Sequence, residues 1–142
     1  MIVVDTNVIS ELWRIAPSFN VRAWMNAQAV ETLYLSAITV AELRLGIAAM
    51  PAGKRRALYQ ERLEKGLLPA FFGRVLAFDL DTSRAYVELV ARARAAGRAI
   101  NRDDGYIAAT AAVRGFSVAT RDASPFEAAG LAVIDPWKDL PC

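Results

Sequence analysis

The chain contains no histidine, and its single cysteine, Cys142, is its last residue. These two absences remove whole classes of chemistry. No disulfide within the chain, no cysteine-based zinc site and no Cys–His nucleophile can be built. A chain with one cysteine fits a reducing compartment, so a cytoplasmic location is expected. The opening run MIVVDTN lacks the basic segment and long apolar segment of a signal peptide. No apolar run approaches the roughly 20 residues that span a bilayer, so no membrane association is expected. Charge of one sign is also lacking. Lys plus Arg is 17 and Asp plus Glu is 15, a formal net charge of +2, which neither demands nor excludes a nucleic acid partner.

What is present reads as one globular domain over residues 1–142. Hydrophobic residues make up 55% and charged residues 23%, well outside the disordered range. There is no repeat, low-complexity tract or linker. Ile2–Val4 reads as a short strand buried on both faces, as in a parallel sheet. Val8–Trp13 reads as a helix, and Ser18 as the cap of a second helix carrying Val21, Trp24 and Met25. Leu33–Ser36 reads as a strand. Thr39 and Glu42 have capping-box spacing and predict a helix to Met50, with Glu42 in its first turn. Lys54 to Leu68 reads as one helix, Val75–Phe78 as a strand and Thr82–Ala96 as a helix ended by Gly97. A further helix starts at Asp103 or Asp104 and stops before Gly115. Ser117–Thr120 and Leu131–Ile134 complete the strands, with a helical turn at Phe126–Ala129. Strands alternating with helices predict an α/β sandwich around a mainly parallel sheet of about five strands.

Four acids stand at informative places in this alternation. Asp5 directly follows one predicted strand and Asp122 stands at the end of another, one residue on, while Glu42 and Asp104 open helices. In such a fold ligands bind beyond the carboxyl ends of the strands. Each acid has an ordinary reading as a helix cap, a dipole-complementing acid or a turn residue. Four caps need not be four acids, however, and four converging carboxylates would repel strongly. Mg²⁺ or Mn²⁺ is the expected partner of such an oxygen-only cluster, and metal-assisted phosphodiester hydrolysis then needs no histidine base. Thr6, Asn7 and Thr120 flank the acids as orienting groups or phosphate contacts, and Ser36 and Thr39 as caps. Arg92, Arg94, Arg98 and Arg102, with Lys54, Arg55 and Arg56, read as a phosphate-tracking surface or as solvated helix faces. Trp13, Trp24 and Phe19 read as a partner groove or as core.

The succession MIVVDTNVISE, LSAITVAELRLGI, DDGYIAATAAVRGFSVATRD and IDPW resembles PIN-domain proteins, in particular the FitB-like group of VapC-type toxins from bacterial toxin–antitoxin pairs. The resemblance runs from residue 2 to about residue 138. It implies a PIN-type α/β/α sandwich and a Mg²⁺- or Mn²⁺-dependent ribonuclease. Asp5 and Asp104 would then be the main metal ligands, with Glu42 and Asp122 completing or orienting the site. It further implies a small VapB/FitA-like antitoxin whose tail occupies a groove and sends a basic side chain into the acidic pocket. Operator DNA would be bound only through that antitoxin, and the toxin would be a homodimer. Many relatives carry Asn at the position of Asp122 and Asp at that of Pro125. Asp103 is an additional acid beside Asp104, and the register with IAATA favours Asp104 as the ligand.

Two other readings remain open. A haloacid-dehalogenase-type phosphatase also begins with a strand and an Asp, but it uses Asp-x-Asp where this chain has Asp5-Thr6-Asn7. A non-catalytic RNA- or protein-binding module would keep the pocket without cutting.

Overall fold

The structure is a computed structural model and describes residues 1–138. Cys142 lies outside the described residues. Strands β1 (Ile2–Val4), β2 (Leu33–Ser36), β3 (Val75–Leu76), β4 (Ser117–Ala119) and β5 (Val133–Ile134) form one sheet in the order β3-β2-β1-β4-β5. Every pairing is parallel. Parallel strands require crossovers, and the helices that make them cover both faces. Val4, Leu33, Leu35 and Ala119 face one core, while Val3 and Val118 face the other. The period-two alternation of a strand thus explains why these short runs are apolar throughout.

On the first face lie α1 (Thr6–Leu12), α2 (Phe19–Ala27) and α3 (Ala37–Ala48), joined by α4 (Lys54–Glu61). The helix predicted to run unbroken to Leu68 instead widens into a π-helical stretch, Arg62–Leu67, before the short turn α5 (Leu68–Ala70). Leu63 and Phe71 from this region enter the first core. The second face is covered by α6 (Leu80–Ala95), α7 (Arg102–Ala112) and α8 (Ala123–Ala128). Leu89, Ile107 and Phe126 pack there against Val3 and Val118.

Several predicted boundaries move, and each move has a local cause. The cap of α3 is Ser36, whose hydroxyl accepts from the Ile38 amide, so the helix starts before Thr39. Glu42 therefore sits in the second helical turn, and the Thr39–Glu42 capping box does not form. The Ser18 side chain makes no capping bond; its amide donates instead to the Glu11 carboxylate. Asp79 caps α6, accepting from the amide and hydroxyl of Thr82. Asn101 caps α7 by accepting from the Asp104 amide at 2.9 Å, which puts Asp104 in the first turn rather than at the start. The strand at Val75 is two residues long, shorter than the predicted Val75–Phe78.

The chain leaves β1 toward β2 and β3 on one side and returns to β4 and β5 on the other. Strand order therefore reverses beside β1, and a crevice opens there at the carboxyl ends of β1 and β4. Helix α7, packed closely on α6, supplies Asp104 to this crevice. A Cβ on Gly105 would lie 2.8 Å from Cε1 of Tyr86, a ring held between Phe78 and Tyr106 at centroid distances of 6.5 and 4.9 Å. Gly105→Ala gains about 1 kcal/mol in helix propensity but overpacks this contact at a cost of about 1–3 kcal/mol. The expected net result is a lower midpoint of thermal unfolding; a rise would show that Tyr86 yields freely.

Candidate active-site cleft

Asp5 is the first residue past β1 and is only 4% exposed. Its amide continues the sheet ladder by donating to the Ala119 carbonyl at 2.9 Å, so its position is fixed by the strand itself. One carboxylate oxygen accepts from the Thr6 amide at 2.7 Å, making Asp5 the cap of α1 as well. The other accepts from the buried Thr120 hydroxyl at 2.8 Å. The ordinary reading of Asp5 as a helix cap is therefore met by one oxygen, while the other is held by Thr120.

Hydroxyls and one amide tie the neighbouring elements to this point. Thr6 Oγ1 donates to Glu42 Oε1 at 2.7 Å and lies 3.1 Å from Thr39 Oγ1, linking α1 to α3. Asn7 Nδ2 donates to Thr120 Oγ1 at 3.1 Å, which also accepts from the Asp122 amide. The Arg121 amide donates to Asn7 Oδ1. Asn7 and Thr120 therefore lock the loop after β4 to the start of α1. Thr39 and Thr120 are fully buried, which is where a hydroxyl needs a partner.

Asp5, Glu42 and Asp104 line one cleft of about 520 Å³, together with Thr6, Asn7, Ser10, Glu11, Arg14, Arg121 and Trp137. Glu42 and Asp104 also border an adjoining hollow with Asn101, Arg102 and Asp103. Three of the four predicted acids thus share a surface. Asp122 is exposed and does not line the cleft, but its charge reaches Asp104. Among the described residues, no three acidic side chains stand close enough to close on one ion.

The electrostatics record the convergence. Burial pushes the Asp5 carboxyl from 3.8 up to about 6, against the Thr120 and Thr6 hydrogen bonds and with the help of the Asp104 and Glu42 charges. Glu42 is raised by burial and by Asp103 and Asp104, despite its bond from Thr6. Asp104 is raised by burial, then by Asp122 and Asp103. Like charges in a low-dielectric cleft disfavour one another's ionised form.

The sequence reading missed Glu11. It is 6% exposed, accepts from the Ser18 amide at 3.0 Å and pairs with Arg14 at 3.2 Å. Burial opposes its ionisation, but the Ser18 amide, Arg14 and the Trp137 indole outweigh that and lower its pKa. Helical phase was the available signal, since Glu11 falls three residues after the buried Val8 and four after Asn7. Of the aromatic residues singled out, Trp24 is core, Phe19 is 80% exposed, and Trp13 lines a second groove with Tyr59. That groove, about 660 Å³, meets the acidic cleft at Thr6, Ser10 and Glu42 and is also lined by Lys54 and Arg55. Arg98 bonds Ser124 on α8, and Arg92 packs on Gly130.

A five-stranded, all-parallel α/β sandwich with an acidic cleft at its switch point defines the class of protein. A model of the PIN domain matches residues 2–131, and the chain belongs to that family. Among its relatives is the VapC ribonuclease Y4jK of Sinorhizobium fredii, 66% identical over 97% of this chain and 99% of its own. Toxin FitB of Neisseria gonorrhoeae is 49% identical over 98% of this chain and all of its own (100%). A solved structure of FitAB bound to an IR36 DNA fragment superposes with a TM-score of 0.95 at 46% identity, covering 99% of both chains. The chain is thus a VapC/FitB-type member of the toxin–antitoxin PIN domains, as its motifs suggested, and not a haloacid-dehalogenase-type phosphatase.

The raised Asp5 carboxyl makes a pH prediction for the metal-free protein. Its folded pKa lies above the unfolded value, so the folded state binds more protons between about pH 4 and pH 6. Stability therefore falls as pH rises through that window and levels off above about 6. The difference between 3.8 and about 6 is worth at most about 3 kcal/mol. Asp5→Asn should flatten the urea-unfolding profile over this window relative to the parent protein. An unchanged profile would mean that Asp5 does not carry the effect.

Proposed function

We propose that this protein is a Mg²⁺- or Mn²⁺-dependent endoribonuclease acting in the cytoplasm as the toxin of a type II toxin–antitoxin pair. The observation that carries the reading is the meeting of Asp5, Glu42 and Asp104, from three separate elements, in one cleft where each is driven toward its neutral form. The donor set fits a hard divalent cation, since every candidate ligand atom is a carboxylate oxygen. Asp5 and Asp104 would hold the cation, with Glu42 and Asp122 completing or orienting the site. Such an ion, when bound, would supply an activated water and shield the phosphate charge.

The chain's own residues do the positioning. Thr120 and the Thr6 amide fix the two oxygens of Asp5, and the Thr6 hydroxyl aims Glu42. Asn101 holds the first turn of α7 and thereby Asp104. Asn7 and Thr120 pin the loop that carries Asp122. The relatives named for FitAB and for VapC ribonuclease support an RNA substrate and a FitA/VapB-like antitoxin as partner. The groove lined by Trp13, Leu43, Ile47, Met50 and Tyr59 would seat the antitoxin's apolar segment, and its junction with the acidic cleft would admit a basic side chain. Operator DNA would be engaged through the antitoxin, and the toxin would pair as a homodimer.

Cleavage of single-stranded RNA should require Mg²⁺ or Mn²⁺ and stop in excess EDTA. Asp104→Asn should lower the rate at least about 100-fold, equivalent to about 2.7 kcal/mol, with an unchanged circular dichroism spectrum. Mn²⁺ should raise the unfolding midpoint of the parent protein and not that of an Asp5→Asn, Asp104→Asn double variant. Equal cleavage in EDTA would reject the reading.

A further inference from the structure

The acidic cleft that suits a cation is hostile to a polyanion. A substrate phosphate approaching Asp5, Glu42 and Asp104 needs a positive group held nearby that does not itself neutralise the carboxylates. Two arginines line the cleft, and they are treated differently. Arg14 is committed to Glu11, with contacts of 3.2 and 3.3 Å. The Arg121 side chain has no carboxylate within ion-pair distance among the described residues, although four carboxylates share its cleft.

What holds Arg121 is Trp137, whose ring centroid lies 5.2 Å from the guanidinium carbon. Trp137 is itself anchored on several sides. Its carbonyl accepts from Asn20 Nδ2 at 2.7 Å, its amide donates to Asp135 Oδ1 at 2.9 Å, and its indole bonds Glu11. The Arg121 backbone is bound to Asn7, and Thr120 beside it is fixed to Asp5. Both ends of the arrangement are thus tied to the cleft lining, Arg121 through Asn7 and Trp137 through Glu11. Stacking on an aromatic face leaves the guanidinium N–H groups at the ring's edge available for hydrogen bonding and keeps the charge exposed. The guanidinium fork matches two phosphate oxygens, and an exposed, unneutralised fork beside the scissile position is what a phosphodiester needs.

We propose that Arg121, laid on Trp137, binds a backbone phosphate of the RNA strand at the acidic cleft and positions the strand for cleavage. This rests on the ribonuclease reading above and names a substrate contact within it. Arg121 acts as a positioning residue, because the reacting atoms belong to the carboxylate side of the cleft.

The test uses the full-length chain carrying Asp104→Asn, in EDTA, with a fluorescently labelled single-stranded RNA oligonucleotide followed by anisotropy over a range of salt. Adding Arg121→Gln should weaken binding and reduce the slope of log affinity against log salt by about 0.7, the value for one phosphate contact on a single strand. Arg121→Lys keeps the charge and should restore the slope. A purely structural role would not be rescued in this way. With Asp104 intact and Mg²⁺ present, Arg121→Gln should raise KM more than it lowers kcat. An unchanged salt slope overturns the proposal, as does an Arg121→Gln variant that loses affinity for the antitoxin and keeps its RNA slope. A parent protein that cuts RNA while Arg121→Gln behaves identically removes only this contact. A parent protein that neither binds nor cuts RNA removes the ribonuclease reading with it.

Discussion

The burial of carboxylates at the carboxyl end of β1, with their mutual repulsion added to it, is the constraint around which the rest is arranged. Asp5 is buried, and burial alone would favour its neutral form. The fold answers with two directed hydrogen bonds, one from the Thr6 amide and one from Thr120. They do not cancel the cost, because the carboxyl still rises to about 6. Glu42 and Asp104 approach from α3 and α7 and bear the same penalty. A protein that retains this arrangement gives up stability at neutral pH.

The supporting structure can be understood as the means of bringing three separate elements to that point. Parallel pairing of β1 with β2 and β4 puts their carboxyl ends side by side. Caps then fix where each helix starts, and so which residue faces the crevice. Ser36 starts α3 early enough that Glu42 arrives one turn in, within reach of Thr6. Asn101 starts α7 so that Asp104 comes first-turn to the cleft, and Gly105 lets that turn lie against Tyr86. Each cap contributes roughly 1 kcal/mol, but its larger effect is geometric. The apolar groove and the acidic cleft share Thr6, Ser10 and Glu42, so the two surfaces are continuous.

Much of this was legible in the sequence. The apolar runs at Ile2, Leu33 and Ser117 gave strands at their true places, because a strand buried on both faces can carry almost nothing polar. The DTN, AEL, DDGYIAATA and ATRD segments carried the family. Boundaries were less legible. Thr39 and Glu42 satisfy a capping pattern that Ser36 wins, because Ser36 ends a strand in the extended conformation a cap requires. Glu11 reads as an ordinary surface acid until the fold closes α2 over it, when the Ser18 amide and Arg14 become its partners.

The sequence by itself determined which side chains were available and on which elements they rode. A chain with no histidine and one terminal cysteine had only oxygen ligands to offer, and hydrophobic periodicity set the sheet and its two cores. Tertiary structure alone decided the distances. Residues 5, 42 and 104 meet because strand order reverses beside β1, a non-local fact that no window of sequence contains. The same crossing left Asp122 exposed at the margin and laid Arg121 on Trp137 instead of on a carboxylate. Local pattern fixes the face a residue occupies; only the packing of distant segments fixes what stands opposite it.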